Sequence, residues 1–259
     1  MSDIRRAFDH GKAFIAFVTG GDPSMDKTEE FVLDMVRAGA DLIEIGIPFS
    51  DPVAEGPVIQ EASHRALCAG ANVKGLLGTV ASIKKKTDVP IVFMTYLNPV
   101  FHYGYESFFR ECREAGVDGI IIPDLPFEEK REVSVVSERY GVDVISMVAP
   151  TSKNRIARIA KDANGFIYIV SSMGVTGVRD EIDTDTYSMT EAIRSVTDTP
   201  TAVGFGISTP EQAENMGRMA DGVIVGSAIV RIISEHGDDS GPYLFDYVKK
   251  MKEAVRRCS

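Results

Sequence analysis

Apolar residues along the chain come in short unbroken runs, and between the runs the pattern changes to helical spacing. AFIAFVTG (13–20), DLIEIGIP (41–48), PIVFMTYL (90–97), VDGIIIPD (117–124), VDVISMVAPT (142–151), GFIYIVSS (165–172) and TAVGFGIS (201–208) are such runs, and an eighth opens DGVIVGSAIV (221–230). Each is apolar on nearly every residue rather than on every second one. That is the pattern of a strand covered on both faces, hence of a parallel sheet. Phe31, Val32, Met35 and Val36 then recur at helical spacing and predict a helix over 26–39, with Gly39 at its end. Similar stretches predict helices at 58–70, 73–86, 104–115, 127–140, 153–163, 184–196, 227–235 and 242–257. Eight strands alternating with helices over this length predict an α/β fold, a (β/α)8 barrel with extra helices, as one domain spanning 1–259. A doubly wound open sheet is the alternative, disfavoured because no GxGxxG follows the first strand.

Composition narrows the function classes. Hydrophobic residues make up 44% and charged residues 25% of the 259 residues, an ordinary balance for a globular domain. A net charge of −10 gives no electrostatic footprint for nucleic acid. No apolar run is long enough to span a bilayer, and MSDIRRAFDHGKAF has no apolar signal-type core, so a cytoplasmic protein is expected. Cys68, Cys112 and Cys258 are scattered and form no CxxC pair, as expected of reduced thiols. The four histidines form no HxH or HExxH pattern, and no metal site is expected.

In such a barrel the chemistry gathers at the C-terminal ends of the strands and in the loops after them. Glu44 stands inside the second apolar run. Burying a carboxyl is costly unless it is partnered or neutral, so Glu44 is either bonded to a barrel hydroxyl or a general acid/base with a raised pKa. Glu55, in the following loop, is either a solvated acid or the second half of a carboxylate pair; Asp51, in SDP, has the residue types of a turn. Late in the chain GVTG (174–177), GFGIS (204–208) and VGSA (225–228) follow or close strands six, seven and eight. Glycine-rich loops at these places let backbone N–H groups approach a phosphate, with Ser227 able to add a hydroxyl. Tyr168 and Tyr96 put hydroxyls in strand six and near the end of strand three, while Phe17, Ile122 and Phe205 offer apolar surface for substrate or core.

EIGIPFSDPVAEGPVIQEAS, together with FVTGGDP (17–23), MTYLNP (94–99), IIPDLP (121–126), VAPT (148–151), SSMGVTGVR (171–179), GFGIS and VGSAIV, closely resembles the α subunit family of tryptophan synthase, in order and over nearly the whole chain. The resemblance implies a TIM barrel lyase that cleaves indole-3-glycerol phosphate to indole and glyceraldehyde 3-phosphate without a cofactor of its own. It implies a β-subunit partner in an α2β2 complex, with pyridoxal phosphate only in that partner. Glu44 falls on the family's catalytic glutamate and Tyr168 on a tyrosine near it. Gly177, Gly206, Gly226 and Ser227 fall on phosphate-binding positions, and Thr176 on a threonine tied to loop closure. The SDP loop, with Asp51 and Pro52, and the MTYLNP segment, with Asn98, fall on partner-facing surfaces. One catalytic position departs: the family usually has aspartate where this chain has Glu55, and the family's loop often carries an arginine that SSMGVTG lacks before Arg179. Two other readings remain open at this point. One is another phosphate-binding lyase or isomerase of the same fold, such as a phosphosugar aldolase; a Schiff-base aldolase would want a lysine in a strand, and the lysines lie outside the strands. A subunit that mainly activates a β partner is the other.

Overall fold

The computed structural model describes residues 3–171, 179–204 and 206–258. Its strands are β1 (Ala13–Thr19), β2 (Leu42–Gly46), β3 (Ile91–Met94), β4 (Gly119–Ile121), β5 (Asp143–Val144), β6 (Ser146–Val148), β7 (Ile167–Val170), β8 (Thr201–Gly204) and β9 (Gly222–Val225). All neighbours pair in parallel, in the order β5-β4-β3-β2-β1-β9-β8-β7-β6. The two ends of that order are consecutive in the chain and separated only by Ile145. The first half of this broken strand bonds to β4 and the second half to β7, which carries the sheet round from one edge to the other. The eight predicted strands are therefore present, the fifth as two pieces, and the barrel prediction stands over the open sheet.

The helices are α1 (Met25–Arg37), α2 (Pro57–Cys68), α3 (Val73–Ile83), α4 (Leu97–Tyr103), α5 (Tyr105–Ala115), α6 (Lys130–Tyr140), α7 (Lys153–Lys161), α8 (Arg179–Arg194), α9 (Pro210–Met219), α10 (Ser227–His236) and α11 (Gly241–Arg256). The expected strand at 90–97 stops at Met94, and its last residues instead open α4, an element the apolar pattern did not show. Among the described residues no single helix is long and apolar enough to cross a membrane. Cys68, Cys112 and Cys258 are free thiols.

Alternation along each strand sorts the side chains into two cores. Phe14, Ala16 and Val18 of β1 and Ile43 and Ile45 of β2 point outward and pack under the helices. Ala13 and Ile15, Leu42, Val92, Ile121, Tyr168, Ala202 and Ile224 point inward and fill the barrel. The 3-10 turn Ile4–Phe8 closes the lower end, where Ile4 and Ala7 join the inner core and Phe8 packs its ring 6.0 Å from Phe166. Partly buried ion pairs tie the helices to the same end. Lys252 of α11 reaches Asp41 at 2.6 Å, and Lys84 reaches Asp118 at 3.0 Å. The upper end, at the strand C-termini, is left for the loops.

Candidate active site

Glu44 is two residues past Leu42 on β2, so it shares the inward face of that strand. It is paired in register with Phe17 of β1 on one side and Val92 of β3 on the other. The residue is 1% exposed, and burial pushes its carboxyl up to about 8. Its Oε1 has no hydrogen-bond partner among the described residues. A carboxyl fully satisfied by a barrel hydroxyl is thus not what the structure holds. It holds a largely neutral acid at neutral pH, with one buried oxygen unpartnered among the described residues.

Tyr168, on β7, lies beside it. Burial first, and the charge of Glu44 second, raise the phenol well above its ordinary range, so it stays a neutral donor. Gly204 makes room for this ring: a Cβ there would stand 2.1 Å from the Tyr168 hydroxyl oxygen.

Glu55 comes from the loop between β2 and α2. Its carboxyl is raised above 4.5 by burial, with a hydrogen bond from Tyr96 acting the other way. The Tyr96 hydroxyl also accepts the N–H of Ala54 at 2.9 Å, and the Phe49 ring packs 5.5 Å from the Tyr96 ring. Gln60, one turn into α2, donates to the Glu55 backbone carbonyl at 2.7 Å. The helix is anchored in turn from the loop after β1. Arg65 donates Nε and an Nη to the two oxygens of the buried Asp22 at 2.9 and 2.8 Å. Such a bidentate pair fixes both distance and orientation. Glu55 is therefore placed by a chain of contacts rather than by its loop alone.

Glu44, Glu55, Phe17, Tyr168, Gly206, Gly226 and Ser227 line one cavity of about 300 Å³ at the upper end of the barrel. This is the lower end of the usual size range for small-molecule sites. Tyr96 does not line it and acts on the Glu55 loop behind the wall. Ile122 faces a separate small cavity beside Lys130 and Met147. Thr176, Gly177 and Phe205 lie outside the described residues. Asp51 and Asn98 are exposed on the rim and Pro52 is half-buried. Sequence reasoning missed Met94, Ile224, Ile59 and Arg231 on the cavity wall. Inward strand parity identifies Met94 and Ile224, and helical spacing from Ser227 identifies Arg231.

The cavity wall carries two kinds of chemistry. One is the pair of carboxyls. The other is a helix start: Gly226 precedes α10 as its N-cap, with no side-chain cap, and Ser227 is the first helical residue. The first-turn N–H groups of a helix have no partner within it, and they favour an anion. Gly206 takes φ +71°, a conformation glycine adopts without strain. No lysine lines the cavity among the described residues, which removes the basis for a Schiff-base aldolase. A larger cleft of about 580 Å³ lies at the opposite end of the strands, where both of its cations, Lys12 and Arg194, pair with Asp221. It shares no residue with the carboxyl site.

Comparison with known proteins points to one family. Residues 5–256 match the family model described as tryptophan synthase alpha chain. The tryptophan synthase alpha chain of Lacticaseibacillus casei is 46% identical over 255 residues, which cover 98% of this chain and 96% of that one. The crystal structure of tryptophan synthase subunit alpha from Legionella pneumophila str. Paris superposes with a TM-score of 0.90 at 35% identity, covering 99% of each chain. A structure described as the tryptophan synthase a2b2 complex of Pyrococcus furiosus superposes with a TM-score of 0.86 at 36% identity, covering 94% of this chain and 99% of that one. A cavity lined by two carboxyls and a helix N-terminus, on a barrel matched over nearly its whole length, places the chain in the tryptophan synthase alpha chain family.

Proposed function

We infer that the cavity cleaves indole-3-glycerol phosphate to indole and glyceraldehyde 3-phosphate. The observation that carries the reading is Glu44: a buried carboxyl, raised to about 8, with an unpartnered oxygen in a cavity that a second carboxyl also lines. Cleavage needs a proton delivered to the indole ring carbon that bears the glycerol chain. It also needs the proton of the adjacent hydroxyl removed. Glu44 enters protonated and gives its proton to that carbon, which leaves the ring as an iminium-like cation. Glu55, ionised, accepts a hydrogen bond from the ring N–H and stabilises that cation. Glu44, now a carboxylate, takes the hydroxyl proton as the carbon–carbon bond breaks. The bonding pair returns to the ring, the former alcohol carbon becomes the aldehyde, and Glu44 ends protonated as it began. No redox partner is consumed, and we assign no cofactor to this chain.

The phosphate belongs on the N–H groups at Gly226 and Ser227, with Gly206 on the same cavity wall. Glyceraldehyde 3-phosphate keeps that group, so substrate and product share one anchor.

A β-subunit partner carrying pyridoxal phosphate is part of the same proposal. The rim supports it: Val53 is 79% exposed and Phe101 65% exposed, in the segments that also present Asp51 and Asn98. Large apolar groups at the mouth of a site suit a partner that takes up the released indole. A cytoplasmic location accords with this assembly. The test is to incubate the purified full chain with indole-3-glycerol phosphate, with and without a tryptophan synthase β subunit, and to assay both products. Equimolar indole and glyceraldehyde 3-phosphate are expected, formed faster with the β subunit. Absence of both products under either condition would overturn the reading.

A further inference from the structure

The charges on the cavity wall are unevenly placed. Glu44 and Glu55 put two carboxyls on it, and among its described lining residues Arg231 is the one permanent cation. Arg231 is on α10, four residues after Ser227, so it lies one turn along the same helix face. It is exposed, and no carboxylate among the described residues pairs with it. Several other arginines are taken up by carboxylates of the chain: Arg65 by Asp22, Arg155 by Glu128, Arg194 by Asp221 and Arg257 by Glu214. An unengaged guanidinium on a cavity wall that already presents an unpartnered buried carboxyl oxygen, Glu44 Oε1, is a group without an internal role.

We propose that Arg231 is a substrate-binding residue that carries the charge recognition of a phosphate monoester dianion held at the start of α10. The inference rests on the function proposed above and deepens it. Backbone N–H groups at Gly226 and Ser227 set position and direction, but they carry only partial charge. A chain with a net charge of −10 does not draw in a dianion by its overall field. Arg231 supplies a full positive charge on the helix that holds the phosphate, and a guanidinium presents its donors in a planar fork that suits phosphate oxygens. Arg231 is exposed to solvent and also lines the cavity, so its charge is available to an anion arriving from solution. The residue therefore acts on capture of the anion and not on bond cleavage at the carboxyls.

The test compares Arg231→Gln and Arg231→Lys with the unaltered full chain. Indole release from indole-3-glycerol phosphate is followed at low and high salt, and binding of glycerol 3-phosphate is followed by calorimetry. Arg231→Gln should raise KM roughly fivefold at low salt with kcat nearly unchanged, as expected for a screened, solvent-facing charge pair. KM of the unaltered chain should rise with salt while that of Arg231→Gln stays flat. Glycerol 3-phosphate should weaken by a similar factor in Arg231→Gln, and Arg231→Lys should recover most of both effects. Equal KM, equal salt dependence and equal glycerol 3-phosphate affinity in Arg231→Gln and the unaltered chain would overturn the proposal. The calorimetric arm reads Arg231 without turnover, so an unaltered chain that binds glycerol 3-phosphate through Arg231 but releases no indole would contradict the proposed reaction and leave the role of Arg231 standing.

Discussion

Tyr168 of β7 and Gly204 of β8 meet diagonally, Gly204 being the register partner of Val170, and a Cβ added to Gly204 would stand 2.1 Å from the Tyr168 hydroxyl oxygen and 2.5 Å from the carbon that bears it. The tyrosine ring cannot keep its place if residue 204 has a side chain. Because Tyr168 lines the cavity with Glu44, a displaced ring enters the space of the substrate. Gly204→Ala is expected to lower kcat/KM for indole release by roughly 100-fold through misplacement. It should cost about 1–3 kcal/mol of stability, as overpacking typically does. Steady-state assays beside denaturant melts check both. An alanine variant with full activity would show that the ring can move away from the site without consequence.

Glu55 is placed by Tyr96, and this relation has its own test. Tyr96→Phe removes the acceptor for the Ala54 N–H and the hydrogen bond to the Glu55 carboxyl. The loop is solvent-facing at Ala54, so stability should change little while kcat/KM falls by roughly tenfold. Glu55→Ala should be severe, a loss of about 10²–10³ in kcat for removing a group that stabilises the developing ring cation. Glu55→Asp should be mild, because it keeps the charge and shortens the side chain by one methylene. A silent Glu55→Ala would show that the loop acid is only solvated.

The two carboxyls should give activity a bell-shaped dependence on pH. Glu44 must start protonated, so kcat/KM should fall as pH rises through about 8. Glu55 must be ionised, and its carboxyl is raised above 4.5, so the acidic limb should lie above that value. In Glu55→Ala the acidic limb should disappear while the alkaline limb stays near 8. Loss of the alkaline limb in that variant would assign it to a group other than Glu44.

Glu44 also links stability to pH. Its folded carboxyl is raised to about 8 against an ordinary 4.5, so the folded state holds the proton more tightly than the unfolded state. The resulting stabilisation is fully present below the unfolded value and is lost as pH rises through the folded one. Denaturant melts without substrate, from below 4.5 to above 8, should show that loss in the unaltered chain and a flatter profile in Glu44→Gln. Parallel profiles would mean that Glu44 is solvated in the folded state.

Much of this was legible because burial on both sides leaves a plain mark. Strands β1, β2 and β7 read directly as continuous apolar runs, and Glu44 stood out as an acid within one of them. The broken fifth strand was not legible, since the Ile145 break changes hydrogen bonding and not apolar content. The α4 helix was hidden because LNPVFHY is short and continues the apolar run of β3 without a cap residue of the usual kind. Arg231 was missed for a different reason. On sequence it is a polar residue of an amphipathic helix, and its spacing from Ser227 becomes a signal only once α10 is known to sit over the barrel mouth. Tyr96 was expected at the substrate, and its hydroxyl instead holds the loop that carries Glu55.

The most direct test of the account is indole release by Glu44→Gln. The amide keeps the size of the side chain and cannot exchange the proton. With folding verified by circular dichroism and glycerol 3-phosphate binding retained, kcat should fall by about 10²–10⁴ or more, as expected for removal of a general acid–base group. Turnover at the unaltered rate in that variant would contradict the assignment of Glu44 as the acid and base of the reaction.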